Sequence, residues 1–181
     1  MAMLRPLGDP DQGMDLLLEE VERELLLSLT AQLIDFVRSE PEEAEDPLVA
    51  LVGIDPDAAP SEDPALHRLL PDAFRDDEEA SLEFRRFTER DLRDAKVRNA
   101  ETVRASLETD GLVVHLTGDT VPAWLGFLND TRLVLGARLD ITEENQDELA
   151  ELDDDDPRAA LYGLYGWLTY LQETLVQALL A

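Results

Sequence analysis

Over most of its length the chain repeats apolar residues at intervals of three and four, the spacing that lines one face of an α-helix. From Glu19 to about Val37 the positions are Val21, Leu25, Leu29, Leu33 and Phe36, with Leu26 and Ile34 beside them. Asp63 followed by Pro64 gives an N-cap and a first-turn proline, starting a short helix with Leu66, Leu69 and Leu70 that Pro71 closes. A further start at Asp76 or Asp77 places Glu78 and Glu79 where acids suit the helix dipole. Leu82, Phe84, Phe87, Leu92, Val97, Val103 and Leu107 then follow to about Glu108, as one long helix or two joined near Thr88. After a cap at Thr117 or Asp119 come Val121, Trp124, Leu125, Leu128, Leu133, Leu135 and Leu139. The acidic run Asp153 to Asp156 and Pro157 open the last helix. Its positions Leu161, Leu164, Tyr165, Leu168, Leu171, Leu175, Val176 and Leu179, widened by Trp167 and Tyr170, predict the best-buried helix of the fold.

These segments predict a mainly α fold, a compact bundle of about five helices. Two short stretches resist that period. Leu112 to Leu116 is rich in β-branched residues and reads as a strand, and Met14 to Leu18 fits a strand or a helix start, of which the strand is favoured. Both precede a polar turn and a helix, and a lone strand leaves its ladder unpaired, so a small two-stranded β element made by their pairing is expected.

A chain of 181 residues can bury a core and fits a single helical domain over residues 1–181. Pro41, Pro47, Pro56, Pro60 and Pro64 stand among acids and forbid a long helix, marking a mobile acidic loop around residues 40–63 with at most a helical turn near Leu48 to Val52. That loop also carries Leu48, Leu51 and Ile54, an apolar cluster that serves either to cover the core or to dock a partner.

Charge narrows the function. With 42 acidic against 15 basic side chains the net charge is −27, a field that repels phosphate backbones, so direct nucleic-acid binding is not expected. The one basic cluster, Arg85 to Arg104, is interleaved with Glu83, Glu89, Asp91, Asp94 and Glu101, and reads as a salt-bridged helix face. A basic or hydrophobic protein partner suits the field better, and a homodimer is compatible with it. No apolar run approaches the length of a membrane span and the N-terminal residues do not resemble a secretory signal, so a cytoplasmic location is expected.

Cysteine is absent, which removes disulfides, thiolate ligands and thiol nucleophiles from this sequence. Phosphate-binding loops, dinucleotide turns, nucleophile elbows and zinc helices are not found. His67 and His115 lie on separate elements. Asp9, Asp11, Asp15 and Glu20 match part of a calcium-loop frame, but Gly13 and Met14 occupy the positions of a ligand and of the required glycine. No catalytic residue, metal or cofactor is expected, and the chain is read as a non-enzymatic interaction protein.

The most informative polar cluster is Asn129, Asp130 and Arg132, within an otherwise apolar helix. Arg132 among leucines should be held by a carboxylate, with Asp130 and Glu173 as the candidates. The cluster is either a packing network or a partner site.

One further pattern spans the chain from about Met14 onward. It runs Asp63-Pro64-Ala65-Leu66-His67-Arg68-Leu69-Leu70-Pro71, Glu83-Phe84-Arg85, Trp124-Leu125 with Asn129-Asp130-x-Arg132-Leu133-x-Leu135-Gly136, and Trp167-Leu168-x-Tyr170-Leu171-Gln172-Glu173. This succession resembles the actinobacterial domain-of-unknown-function family two thousand and seventeen. The resemblance implies a small cytoplasmic protein connected with transcription regulation, including redox-responsive regulation. Trp124, Asn129, Asp130, Arg132, Trp167, Gln172 and Glu173, which stand in these blocks, are the structural or interaction candidates, and the resemblance brings no catalytic residues. Its members' frequent gene neighbourhood with the Clp protease adaptor implies an alternative, an accessory role in Clp-type proteolysis or stress response. The missing cysteines set this chain apart from a disulfide-based sensor.

Overall fold

The three-four spacing becomes six helices among the described residues, joined by three short strands. The computed structural model describes residues 2–6, 13–38, 59–109, 111–153 and 155–180. In chain order the elements are β1 (Met3–Pro6), β2 (Met14–Leu17), α1 (Glu20–Arg38), α2 (Pro64–Leu69), α3 (Glu78–Leu107), β3 (Val113–Leu116), α4 (Val121–Arg138), α5 (Gln146–Ala150) and α6 (Pro157–Leu180). The short helix expected near Leu48 to Val52, with the apolar cluster Leu48, Leu51 and Ile54, lies outside the described residues, as does nearly all of the proline-punctuated segment.

The strand pairing expected between the two β-branched stretches is present. β2 runs antiparallel to β3 with Met14 opposite Leu116 and Leu17 opposite Val113. β1 adds a third strand on the other side of β2, which the hydrophobic pattern does not announce. Alternation does the rest: Met14, Leu16, Val114 and Leu116 point into the bundle, while the Asp15–His115 pair, 3.0 Å apart, lies on the outer face. Gly13 enters β2 with φ +89, and a Cβ there would stand 2.1 Å from the Leu116 carbonyl oxygen, so this position admits only glycine without distortion.

α4 is the centre of the bundle and packs against α1, α2, α3 and α6. It is apolar nearly all round, as a helix with neighbours on every side must be, and it buries Trp124, Phe127 and Leu128 completely. Its N-cap is Thr120 rather than Thr117 or Asp119. The Thr120 hydroxyl accepts from the Thr117 amide at 2.9 Å, so the side chain closes the preceding turn instead of capping the helix. α3 is one continuous helix of 30 residues, capped by Asp77, whose carboxylate accepts from the Ala80 amide at 2.9 Å. α1 packs along α3 through Leu26, Leu29, Leu33 and Val37, whereas Val21 and Leu25 are exposed. The buried register is therefore offset from the one that begins at Val21.

The expectation that the last helix is the best buried is wrong. α6 buries only Leu168, Leu171 and Leu175, and Leu161, Tyr170, Val176 and Leu179 are exposed. Its stripe is complete, but among the described residues its neighbours are chiefly α4, with α5 and the edge strand β1.

Candidate interaction surface

The largest apolar side chains at the surface of the helical body gather at the corner where α2 hands over to α3. Pro71 ends α2 because proline cannot continue it, and the chain turns to the Asp77 cap. Ser81 locks that turn from within: its Oγ accepts from the Phe74 amide at 3.0 Å and donates to the Phe74 carbonyl at 2.8 Å. Phe74 is thereby held edge-on to Phe84, with ring centroids 6.2 Å apart. Phe74, Phe84, Phe87 and Leu92 are 48%, 47%, 53% and 46% exposed; Phe84 and Leu92 line one shallow depression, whereas Phe87 lies about 140° around the helix from Leu92. Exposed Asp76, Asp77, Glu78, Glu79 and Glu83, with Arg75 and Arg86, border them.

A buried ionic network makes the corner rigid. Arg85 points inward, and its Nη2 donates to the Leu70 carbonyl and to Asp72, both at 2.9 Å, while its Nη1 donates to Glu89 at 2.6 Å. Burial works against the Arg85 charge, but the hydrogen bonds it donates to Glu89 and Asp72 outweigh that and hold its pKa above the ordinary guanidinium value. Glu89 also accepts from Arg93, whose Nη1 donates to the Val37 carbonyl at 2.7 Å. The network thus ties the end of α2, the middle of α3 and the end of α1 together beneath the phenylalanines. The reading of Arg85 to Arg104 as a salt-bridged, solvated face needs correction at Arg85, which is 6% exposed, while Arg86, Arg90, Arg98 and Arg104 are exposed.

The depression between Phe84 and the end of α2, lined by Leu70, Pro71, Ser81, Phe84, Thr88 and Leu92 among others, holds only about 20 Å³. Small-molecule sites usually run from about 300 to 1,000 Å³, so this corner has the shape of a docking surface for side chains. A wider, open depression of about 480 Å³ lies at the α5–α6 turn, lined by Glu148, Glu151, Asp153, Asp155 and Asp156 with Leu152 and Pro157. Among the described residues no group of three or more His, Cys, Asp or Glu side chains is placed to hold a metal ion.

The polar cluster on α4 is split between two neighbours. Asp130 turns to α3, where Lys96 Nζ donates to its carboxylate at 2.7 Å. Burial raises the Asp130 pKa above the ordinary carboxylate value, and the hydrogen bonds of Lys96 and Asn129 offset only part of that effect. Arg132, two residues on and so roughly opposite around the helix, turns to α6 instead. Its Nε donates to Thr169 at 2.8 Å, its Nη1 to Gln172 at 2.7 Å and its Nη2 to the Tyr165 hydroxyl at 3.4 Å, with the guanidinium 5.2 Å from the Tyr165 ring centre. The expected carboxylate partners are therefore incorrect: Asp130 faces the wrong helix, and Glu173, one residue past Gln172, is turned outward and exposed.

Trp124 is fully buried, and its Nε1 donates to Ser106 at 3.1 Å. Trp167 is half-buried against the core, and Asn129 is exposed. The structure brings Arg132 and Gln172 together, places Asp130 on a separate contact, and leaves Glu173 unengaged. Phe74, Phe84, Phe87 and Leu92 did not stand out as a surface because the last three also satisfy a helical spacing. A signal does exist. The register running back from Leu107 through Val103, Ala100, Lys96 and Arg93 lands on Glu89 and Arg85, which puts Phe84 and Phe87 off the seam.

The sequence matches the profile of the family described as "Domain of unknown function (DUF2017)" over residues 4–179. It is 34% identical over 131 residues to the protein named "Oxidative stress regulator AosR" of Mycobacterium tuberculosis (strain ATCC 25618 / H37Rv), a match covering 65% of this chain and 59% of the relative. A "Putative oxidative stress regulator AosR" of Mycobacterium leprae (strain TN) is 34% identical over 151 residues, covering 75% of this chain and 68% of the relative. The chain spans about three fifths of the length of the tuberculosis relative. No solved structure matches.

Proposed function

Because the chain belongs to the DUF2017 family, whose relatives include proteins named oxidative stress regulators, we propose that it is a regulatory protein without catalytic activity. It works in the cytoplasm by binding a protein partner, a basic component of the transcription apparatus. The observation that carries this reading is the α2–α3 corner, where the paired Phe74 and Phe84, with Phe87 and Leu92 farther along α3, stand half-exposed above a buried ionic network, in a border of five acids with Arg75 and Arg86 among them. Apolar anchors on a rigid support supply affinity, and an acidic surround on a chain of net charge −27 speeds encounter with a basic partner and turns away nucleic acid. A chain without cysteine does not sense oxidants through a thiol of its own, so in this reading the oxidant signal arrives through the partner.

Affinity capture from the native cytoplasm tests the proposal, with the wild type run beside a Phe84→Ser/Phe87→Ser variant. Both phenylalanines are about half exposed, so the variant should stay folded and lose the captured component. Recovery of transcription components by the wild type alone supports the reading. Recovery of protease components by both proteins would replace it with an accessory role in proteolysis.

A further inference from the structure

Arg85 carries one donor that the corner leaves unused. A guanidinium holds its N–H groups in a fixed, planar fork. Nη1 and Nη2 of Arg85 donate to Glu89, Asp72 and the Leu70 carbonyl, whereas Nε, buried with the rest of the side chain, meets no acceptor among the described residues. A buried donor on a charged group is costly to leave unmade, and nearly all buried polar groups of folded proteins have a partner. The direction of this one is set by its neighbours. The Nε–H leaves the guanidinium on the same edge as one hydrogen of Nη2, and Nη2 faces the end of α2. The depression between Phe84 and the end of α2 opens on that side, and Arg85 forms part of its lining. Its volume of about 20 Å³ is room for one oxygen atom.

We infer that this depression is the binding point for an amide carbonyl oxygen of the docked protein, which accepts a hydrogen bond from Arg85 Nε. The inference rests on the corner being the docking surface, and charge then selects the group. Arg85 and Arg93 balance Asp72 and Glu89, so an anion finds no excess positive charge there and meets two carboxylates. Lysine and arginine side chains of a basic partner have no acceptor to offer an N–H, and their place is the acidic border. A carbonyl brings an acceptor and no hydrogen, which suits a single donor within a rim of Leu70, Pro71, Phe84 and Leu92. Phe84 and Leu92 are each about half exposed, so a small turn of either side chain admits the oxygen. Main-chain carbonyls outside helices and the side chains of Asn and Gln both supply it.

Arginine-selective proton–nitrogen NMR of the protein alone tests this, with N-methylacetamide standing for a main-chain carbonyl and acetamide for an Asn or Gln side chain. The Arg85 Nε–H signal, assigned by its loss in Arg85→Lys, should move downfield and saturate, with half-saturation on the order of 0.1 M for ligands this small. The amide that binds more tightly identifies the source of the carbonyl. Arg132 Nε, which already donates to Thr169, is the internal control and should not respond. Thr88→Leu enlarges a side chain of the lining and should abolish the Arg85 response without lowering the melting temperature, because leucine is the better helix former. Three results would each overturn the inference: an Arg85 signal that moves no more than that of Arg132, a long-lived water whose cross-peak to Arg85 Nε–H persists through the titration, or a response unchanged in Thr88→Leu. The titration needs no partner, so a silent Arg85 with capture still lost in Phe84→Ser/Phe87→Ser removes this inference alone. A responding Arg85 with capture intact in that variant removes the docking surface instead.

Discussion

At the scale of single residues, Asp130 carries the sharpest consequence. Its side chain is 4% exposed and its charge is matched by Lys96, the chain's one lysine, whose side chain is 18% exposed. Burial raises the Asp130 pKa in the folded state. Its titration therefore favours folding fully below the unfolded carboxylate value near 3.8, and that contribution is lost as pH rises through the raised folded value. Removing Lys96 moves the folded pKa further up and leaves an unpaired buried carboxylate at neutral pH. Lys96→Met should then destabilise the protein by about 3 kcal/mol at pH 7 and by much less near pH 4, where the carboxyl protonates. Chemical denaturation of both proteins at the two pH values measures the difference, and an equal loss at both would show that the charge pair is not its cause. Arg132 illustrates what residue types alone left open. That it needed buried partners followed from its place among leucines, but which partners depended on the angles at which α4 meets α3 and α6. The neutral acceptors Thr169, Gln172 and Tyr165 answered where a carboxylate was expected.

At the scale of elements, helix positions were legible wherever a cap chemistry marked them. Asp63 with Pro64 and Asp77 start their helices as their side chains dictate, and Pro157 opens α6. Which face of each helix is buried was less legible, because spacing gives a stripe without saying whether a neighbour covers it. α6 carries a full stripe and covers only its inner part, and α3 carries Phe84 and Phe87 off its seam. The strand pair β2–β3 followed from the need of each ladder for a partner. β1 did not, since its four residues show no alternation that separates a strand from a tail. The sheet supplies a second expectation. Gly13→Ala would place a methyl against the Leu116 carbonyl in a backbone conformation that L-residues avoid, and should cost roughly 1 to 3 kcal/mol by forcing β2 away from β3. Gly111, whose φ is also positive but whose Cβ would meet nothing within 4 Å, provides the control, since Gly111→Ala bears only the conformational cost. Equal losses at the two positions would remove the close approach as the reason for glycine at 13.

At the scale of the whole molecule, charge decides which partners the surface can admit. The α2–α3 corner is apolar within an acidic border and suits a basic partner, so its binding should weaken with salt. The acidic balance that made nucleic acid an unsuitable ligand was plain from composition. The place where a protein partner docks was not, because it is assembled from the end of one helix, the turn after it and the start of the next. The most direct test replaces Phe87 with a photo-crosslinking amino acid in living cells and identifies the adduct by mass spectrometry, with the same amino acid at Arg98, farther along α3, as the control. An adduct with a basic transcription component is expected from position 87 and none from position 98. No adduct at 87, or the same adduct from both positions, would contradict it.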